Sequence, residues 1–498
     1  MKNTAIMLSL ALILALTAAL TACGGGTGKT PAADAATAGE ATEAVTIGET
    51  SSARVEPELP DVAFDGAEFN IYGFSLWGNH YLTAEELTGE VLDDALYERD
   101  SRIEDKYDIS LRYEIYERDP GKVVNLVVTT VTAGDNAVDL ASPSTQNMAG
   151  AISDGHFMNL YDVPYLDLSK PWWDADSAED FSLGGRLYMA VNSMNVLCDN
   201  VTAAVFFNKE LAESHNLENP YDLVDSGGWT WQKMYEMAKV TSSDLDGDGA
   251  MTDLDRYGVV TSSLGLQDAM LNCGEPVIAK DKEDYPVLAL GTSRSAEVAE
   301  TIFNIMNDAQ NVIWVDKYQG KYKDAWQDLM YPMFKEGRGM FISRAYVQYV
   351  NYFRDSEVDY GILPRPKYDE KQERYYHDVN NYWANCIVVP AAVESLEMTG
   401  VITEALAAES LYGVTPANYD MSIVNKQLRD VDSERMLKII YSSRVFDYGQ
   451  ITSWSSMKSK LQNMVKTGSF TFASDYAADK TAAEVGLEKF IEQMKALK

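Results

Sequence analysis

The chain has 498 residues, with 76 Asp and Glu against 41 Lys and Arg, a formal net charge of −35. That length exceeds the roughly 250–300 residues at which a single core stops growing, so two lobes are expected. The acidity would repel a phosphate backbone or an anionic membrane surface, and without a local basic patch no nucleic-acid partner is expected.

Lys2, the apolar run Ala5–Ala19 and Leu20-Thr21-Ala22-Cys23 form a secretory leader too short to span as a stable anchor. The last four residues resemble a bacterial lipobox, which implies cleavage after residue 22 and lipidation, palmitate included, at Cys23. GGGTGKT at Gly24–Thr30 nearly spells a phosphate-binding loop, but Cys23 stands where a glycine is needed and neither strand nor helix flanks it. Residues 23–60 are poor in large apolar side chains and are read as a disordered tether, with a reach of about 30–35 Å by flexible-chain statistics.

Past the tether, EFNIYGF reads as a strand, and Leu87, Val91, Ala95 and Ile103 recur at helical spacing. ISLRYEIY gives a second strand, Gly121–Thr132 a helix and AVDLASP a third strand. Strands alternating with helices argue for an open, mostly parallel sheet, whose ligands lie beyond the strands' carboxyl ends. That places Trp77, Ser142, Ser144 and Thr145 near a cleft. Trp172 and Trp173 follow in an irregular stretch. Successive side chains on a strand point oppositely, so the pair is read as exposed ring platforms.

GRLYMAVNSMNVLCDNVTAAVFFNKEL, Gly185–Leu211, scans as strand, loop, strand. It resembles the segment that carries the chain between lobes in family 1 bacterial extracellular solute-binding proteins, the sugar-binding lipoproteins of ABC importers. GGWTWQKMYEMAKVT, entering a helix through the cap residue Thr230, is similar to a helix of that family, and FKEGRGMFISRAY to its return crossing. DYGILPRP and NYWANCIVVP resemble a later strand and a cleft loop. The resemblance covers roughly Glu68–Lys498. It implies an α/β, two-lobed periplasmic-binding-protein-like fold of type II with about three hinge crossings. Lobe 1 is taken as 61–203 plus 340–410, and lobe 2 as 204–339 plus 411–498. It further implies ligand contacts from Asp199 and Asn200 in the first crossing, Trp229, Arg344 and Tyr346 after the return strand, and Tyr382 and Trp383.

Asp244–Asp255, DLDGDGAMTDLD, has the spacing of an EF-hand-type calcium loop: Asp244, Asp246 and Asp248 at positions 1, 3 and 5, a glycine at 6, the Ala250 carbonyl at 7 and Asp255 at 12. Aspartate replaces the usual glutamate at 12. A structural Ca2+ is expected there, and no organic cofactor.

The four histidines, at 80, 156, 215 and 377, lack metal-ligand spacing, and no nucleophile elbow occurs. Cys198, Cys273 and Cys386 show no C-x-x-C spacing and are expected as free buried thiols. Nine tryptophans and 29 tyrosines suit a cleft in which rings stack on sugar faces. The function expected is that of a monomeric, non-enzymatic, lipid-anchored receptor on the extracytoplasmic face of the cell membrane. It would capture a sugar or oligosaccharide and hand it to ABC permease subunits. A peptide or other solute is the nearer alternative, and a secreted carbohydrate-active enzyme the one from a different class.

Overall fold

In the computed structural model the described residues are 54–498, apart from 147, 424–430, 453 and 498. The leader, Cys23 and the tether as far as residue 53 lie outside them. The first sheet is parallel. β1 (Ala67–Ser75) runs between β2 (Ile109–Glu117) and β3 (Leu140–Ser142), with Ala67 opposite Ile109 and Ile71 opposite Leu140. Phe69 and Ile71, two apart and fully buried, put one face of β1 into the core. The sheet continues irregularly. Val388 bridges Ala141 and Asn385 bridges Ser144, while Ile387 pairs on its other side with Ala190.

The second sheet is mixed. β4 (Ala203–Asn208), β5 (Tyr257–Thr261), β8 (Val312–Trp314), β9 (Gly339–Tyr346) and β10 (Tyr360–Leu363) lie in the order β10-β4-β9-β5-β8. All six residues of β4 are buried, as a strand covered on both faces requires. Between β5 and β8 stands a hairpin of β6 (Ile278–Lys280) and β7 (Pro286–Leu288), and β11 (His377–Asp378) pairs with β12 (Arg444–Val445). The helix Trp231–Thr241 is capped as expected, Thr230 accepting from the Lys233 amide.

The two halves are joined where Thr202 bridges Val379 and the Asn380 amide donates to the Val201 carbonyl at 3.0 Å. The helix Val414–Ile423 packs on Val91–Tyr107, and the helix Val431–Tyr441 beside β10. These pairings move the lobe boundaries. Residues 340–379 belong to the second half, because β9 is hydrogen-bonded between β4 and β5, and the return crossing lies near 379–385. Residues 411–423 stay with the first half.

Arg186–Val191 forms isolated bridges rather than a strand, because its partner segment meets it only at Ala190. The tether also ends sooner than composition suggests. Arg54 pairs with Glu409 and lies over the Tyr412 ring, the Val55 amide donates to the Tyr412 hydroxyl, and Glu58 meets Lys170 at 3.3 Å. Among the described residues no helix is long and apolar enough to cross a membrane. Cys198, Cys273 and Cys386 are buried and unpaired.

Candidate functional site between the two sheets

The carboxyl end of β1 turns at once through Leu76-Trp77-Gly78-Asn79. The Asn79 amide donates to the Leu76 carbonyl at 3.1 Å, with Trp77 at φ 58° and Gly78 at φ 71°. A bulky residue in the left-handed region costs on the order of 1 kcal/mol or more, so the surrounding contacts must hold it there. Glu117 at the end of β2 supplies two of them, accepting from the Gly78 amide at 3.3 Å and from the Ser75 hydroxyl at 2.6 Å. The turn sets Trp77 edge-on to Trp383, ring centroids 5.8 Å apart, and Trp383 in turn meets Tyr382 at 4.4 Å.

Tyr382 is 47% exposed. Its loop is pinned from below. The Ser144 hydroxyl donates toward the Asn381 and Tyr382 carbonyls at 3.2 and 2.9 Å, and the Thr145 hydroxyl to Asn381 at 3.0 Å. Ser144 is itself buried, so it holds the loop that carries the rings and presents nothing to a ligand.

Beside Trp77, the chain after β9 brings Gln348, Asn351, Tyr352 and Arg354 together with Asn79, His80 and Asp93. Between them lies a hollow of about 560 Å3, within the range typical of small-molecule sites. At the carboxyl ends of β5 and β9, Arg344 donates to Asp268 at 2.6 Å and its guanidinium lies 5.8 Å from the Tyr346 ring. Arg365 approaches Asp378 at 3.7 Å, and Lys458 reaches Asn381 at 3.5 Å. Burial raises the Asp378 carboxyl above the ordinary carboxylate range although Arg365 opposes it, and burial lowers the Lys458 ammonium. Arg344 and Tyr346 thus stand at the end of β9, as expected, but they are mostly buried and Arg344 is already ion-paired.

Five further expected ligand residues are structural. Trp172 and Trp173 are 1% and 4% exposed, and their indole N–H groups donate to the two oxygens of Glu404, each at 2.9 Å. The opposed-side-chain argument holds for strands, whereas these residues sit in a turn that points both rings at one carboxylate. Trp229 is buried against Phe341, its N–H donating to the Pro364 carbonyl at 2.8 Å. Asn200 is spent on Val196 and Asn418. Asp199 accepts from Arg444, which also pairs with Asp174, so it too is engaged within the protein.

The hollow-lining residues Asn351, Tyr352 and Arg354 and the charged residues Asp268, Asp378 and Lys458 escaped the sequence reading. The first three follow the return strand by only a few positions. The others come together through strand order, which leaves no local mark.

In the acidic loop, carboxylate oxygens of Asp244, Asp246 and Asp255 lie within 4.8 Å of one another. Oxygens bound to one calcium ion at about 2.3–2.6 Å stand at most about 5.2 Å apart, so this trio could hold that ion. Asp244 accepts from the Gly247 and Gly249 amides, and the wholly buried Asp255 from Leu245 and Thr252. Asp248 is exposed and stands outside the trio, its carboxylate accepting from the Ala250 amide.

Two α/β halves and a hollow at the strands' carboxyl ends define a two-lobed, type II periplasmic-binding-protein-like fold. Neither a protein-family model nor a curated protein matches the sequence. Solved structures do match. An ABC substrate-binding protein of Listeria monocytogenes in complex with cycloalternan is 14% identical, with 87% of this chain and 100% of that one covered and a TM-score of 0.54. A sugar transporter of Rhizobium etli in an open conformation is 11% identical over 87% and 100%, TM-score 0.56. The GacH receptor of Streptomyces glaucescens, solved unliganded and with acarbose, is 13% identical over 87% and 100%, TM-score 0.52.

Proposed function

We propose that this chain is the solute-capturing component of an ABC importer and binds a sugar or oligosaccharide in the hollow between its halves. The observation that carries the reading is Trp77, which lines the hollow together with Asn351, Tyr352 and Arg354 and is backed by Trp383 and, through it, Tyr382. Flat rings stack on the apolar faces of a sugar while amides and charged groups take its hydroxyls. The sugar-binding character of the solved relatives supports the same reading. Capture works by differential affinity: a solute touching both halves stabilises the arrangement in which both reach it. Cys23 would carry the lipid that keeps the receptor at the membrane, and Asp244, Asp246 and Asp255 would hold a structural calcium ion.

A melting-temperature screen of the purified protein over saccharides, peptides and polyols tests the reading. A bound solute at one hundred times its Kd adds about 2.7 kcal/mol of stability. A shift with a saccharide and no product formed is the expected result. A shift with peptides alone would replace the ligand class, and turnover of a glycan would replace the receptor by an enzyme.

A further inference from the structure

The space between the halves is unequal at its two ends. The mouth lies on the β1 side of the first sheet and, in the second, beside β4 and β10, where Phe353 packs on Phe206 and Tyr360. On the opposite edges, next to Ala190 in the first sheet and on the β5 and β8 side of the second, the halves are fastened. The stretch Asp174–Arg186 of the first half meets the β6–β7 hairpin, where Asp284 accepts from the Ser182 hydroxyl at 2.9 Å and the Gly185 amide at 3.0 Å, and its carbonyl accepts from Gly184. Lys280 closes the same cluster from the hairpin side.

The stretch also meets the turn after β12. Asp180 accepts from the Phe446 amide at 2.8 Å, the Tyr448 hydroxyl donates to the Phe181 carbonyl at 3.1 Å, and Phe181 packs against both rings. Arg444 on β12 pairs with Asp174. The final helix, Phe472–Ala496, rests on β7 and ends at Arg186, which donates to the Leu497 carbonyl at 2.8 Å. At this end the cavity lined by Thr145, Asn381 and Phe181 on one side and Leu271, Val445 and Ile451 on the other holds about 10 Å3, barely one water, against about 560 Å3 at the mouth.

We infer that the hairpin and the turn after β12 form a strap that keeps the halves joined along this edge, so that the groove opens only at the Trp77–Tyr352 mouth and receives its solute end-on. The end-on consequence rests on the reading of the hollow as a saccharide site; the strap itself does not. Such a groove takes a short saccharide or the terminus of a longer one. It rejects the interior of a polymer, which needs both ends open.

Pulsed electron-electron distance measurements on the solute-free protein test the strap. One pair of spin-labelled cysteines replaces Glu179 and Glu283 across it, and another replaces Leu87 and Asp355 across the mouth, all four being exposed positions. The expected result is a single narrow distance for the strap pair and a broad or two-population distribution for the mouth pair. A strap pair as broad as the mouth pair, or a mouth pair as narrow as the strap pair, overturns the inference. Because no solute is present, failure here leaves the receptor reading standing, and failure of the saccharide screen leaves the strap standing.

Discussion

Replacing Glu404 by glutamine should flatten the dependence of stability on pH between about 5 and 8. Burial raises the Glu404 carboxyl from an ordinary 4.5 to about 7, and the two indole donors, which favour the ionised form, offset only part of that. Below the unfolded value both states hold the proton. Between the two values the unfolded chain has released it and the folded one has not, so folding loses about 1.4 kcal/mol per pH unit as pH rises. Across the window this amounts to about 3 kcal/mol, present in full at acid pH and lost once pH passes the folded value. Asp180 and Asp447, which burial raises to about 7 and about 6, act with the same sign and remain in the variant. Glutamine accepts from one indole and faces the other with its own N–H, a cost of about 1–3 kcal/mol that does not vary with pH. Denaturant unfolding at pH 5, 6, 7 and 8 should therefore give a wild-type curve that falls about 3 kcal/mol further than the variant's. Parallel curves would refute the buried-acid account of Glu404.

Trp383→Ala should weaken saccharide binding about ten- to hundredfold, on the order of the 1–3 kcal/mol of one recognition contact, with the solute-free melting temperature nearly unchanged. Trp172→Ala should do the reverse, costing about 3–5 kcal/mol of stability as a fully buried ring is removed, with the remaining folded protein binding normally. Gly400→Ala should be among the most damaging single substitutions, since a Cβ there would lie 1.7 Å from the Pro164 carbonyl oxygen; soluble yield and melting temperature read it directly. Asp246→Ala should abolish any fall in melting temperature caused by a calcium chelator, and a wild-type melt indifferent to both chelator and calcium would leave the loop a plain turn. Cys23→Ala should eliminate the acyl mass expected on the membrane fraction, and wild-type protein recovered soluble with no acyl group would end the lipid proposal.

Local chemistry made much of this fold legible. Alternation marks β1 and β2, an unbroken apolar run marks β4, and Thr230 announces its helix because a hydroxyl before an amphipathic stretch has one good use. Trp77, Tyr382 and Trp383 were legible as loop residues for a related reason: each stands within three positions of a strand end or bridged residue, where the backbone turns. Long-range order was not legible. β9 lies between β4 and β5 although more than 70 residues separate it from β5. A rule about consecutive side chains misplaced Trp172 and Trp173, because it presumes a strand and cannot see a carboxylate on a helix more than 200 residues away. The charged cluster of Arg344, Asp268, Asp378 and Lys458 is invisible for the same reason, being assembled from the ends of β5 and β9, β11 and a late helix.

The docking of Arg54–Leu59 also decides how force enters the molecule. Its contacts, with Glu409, Tyr412 and Lys170, are all on the first half. A pull on the chain upstream of Arg54 is therefore borne by that half alone, and the paired crossings at Val201 and Asn380 carry none of it. Such a pull would orient the protein through its first half, the second half following through the crossings and the contacts of the β6–β7 hairpin.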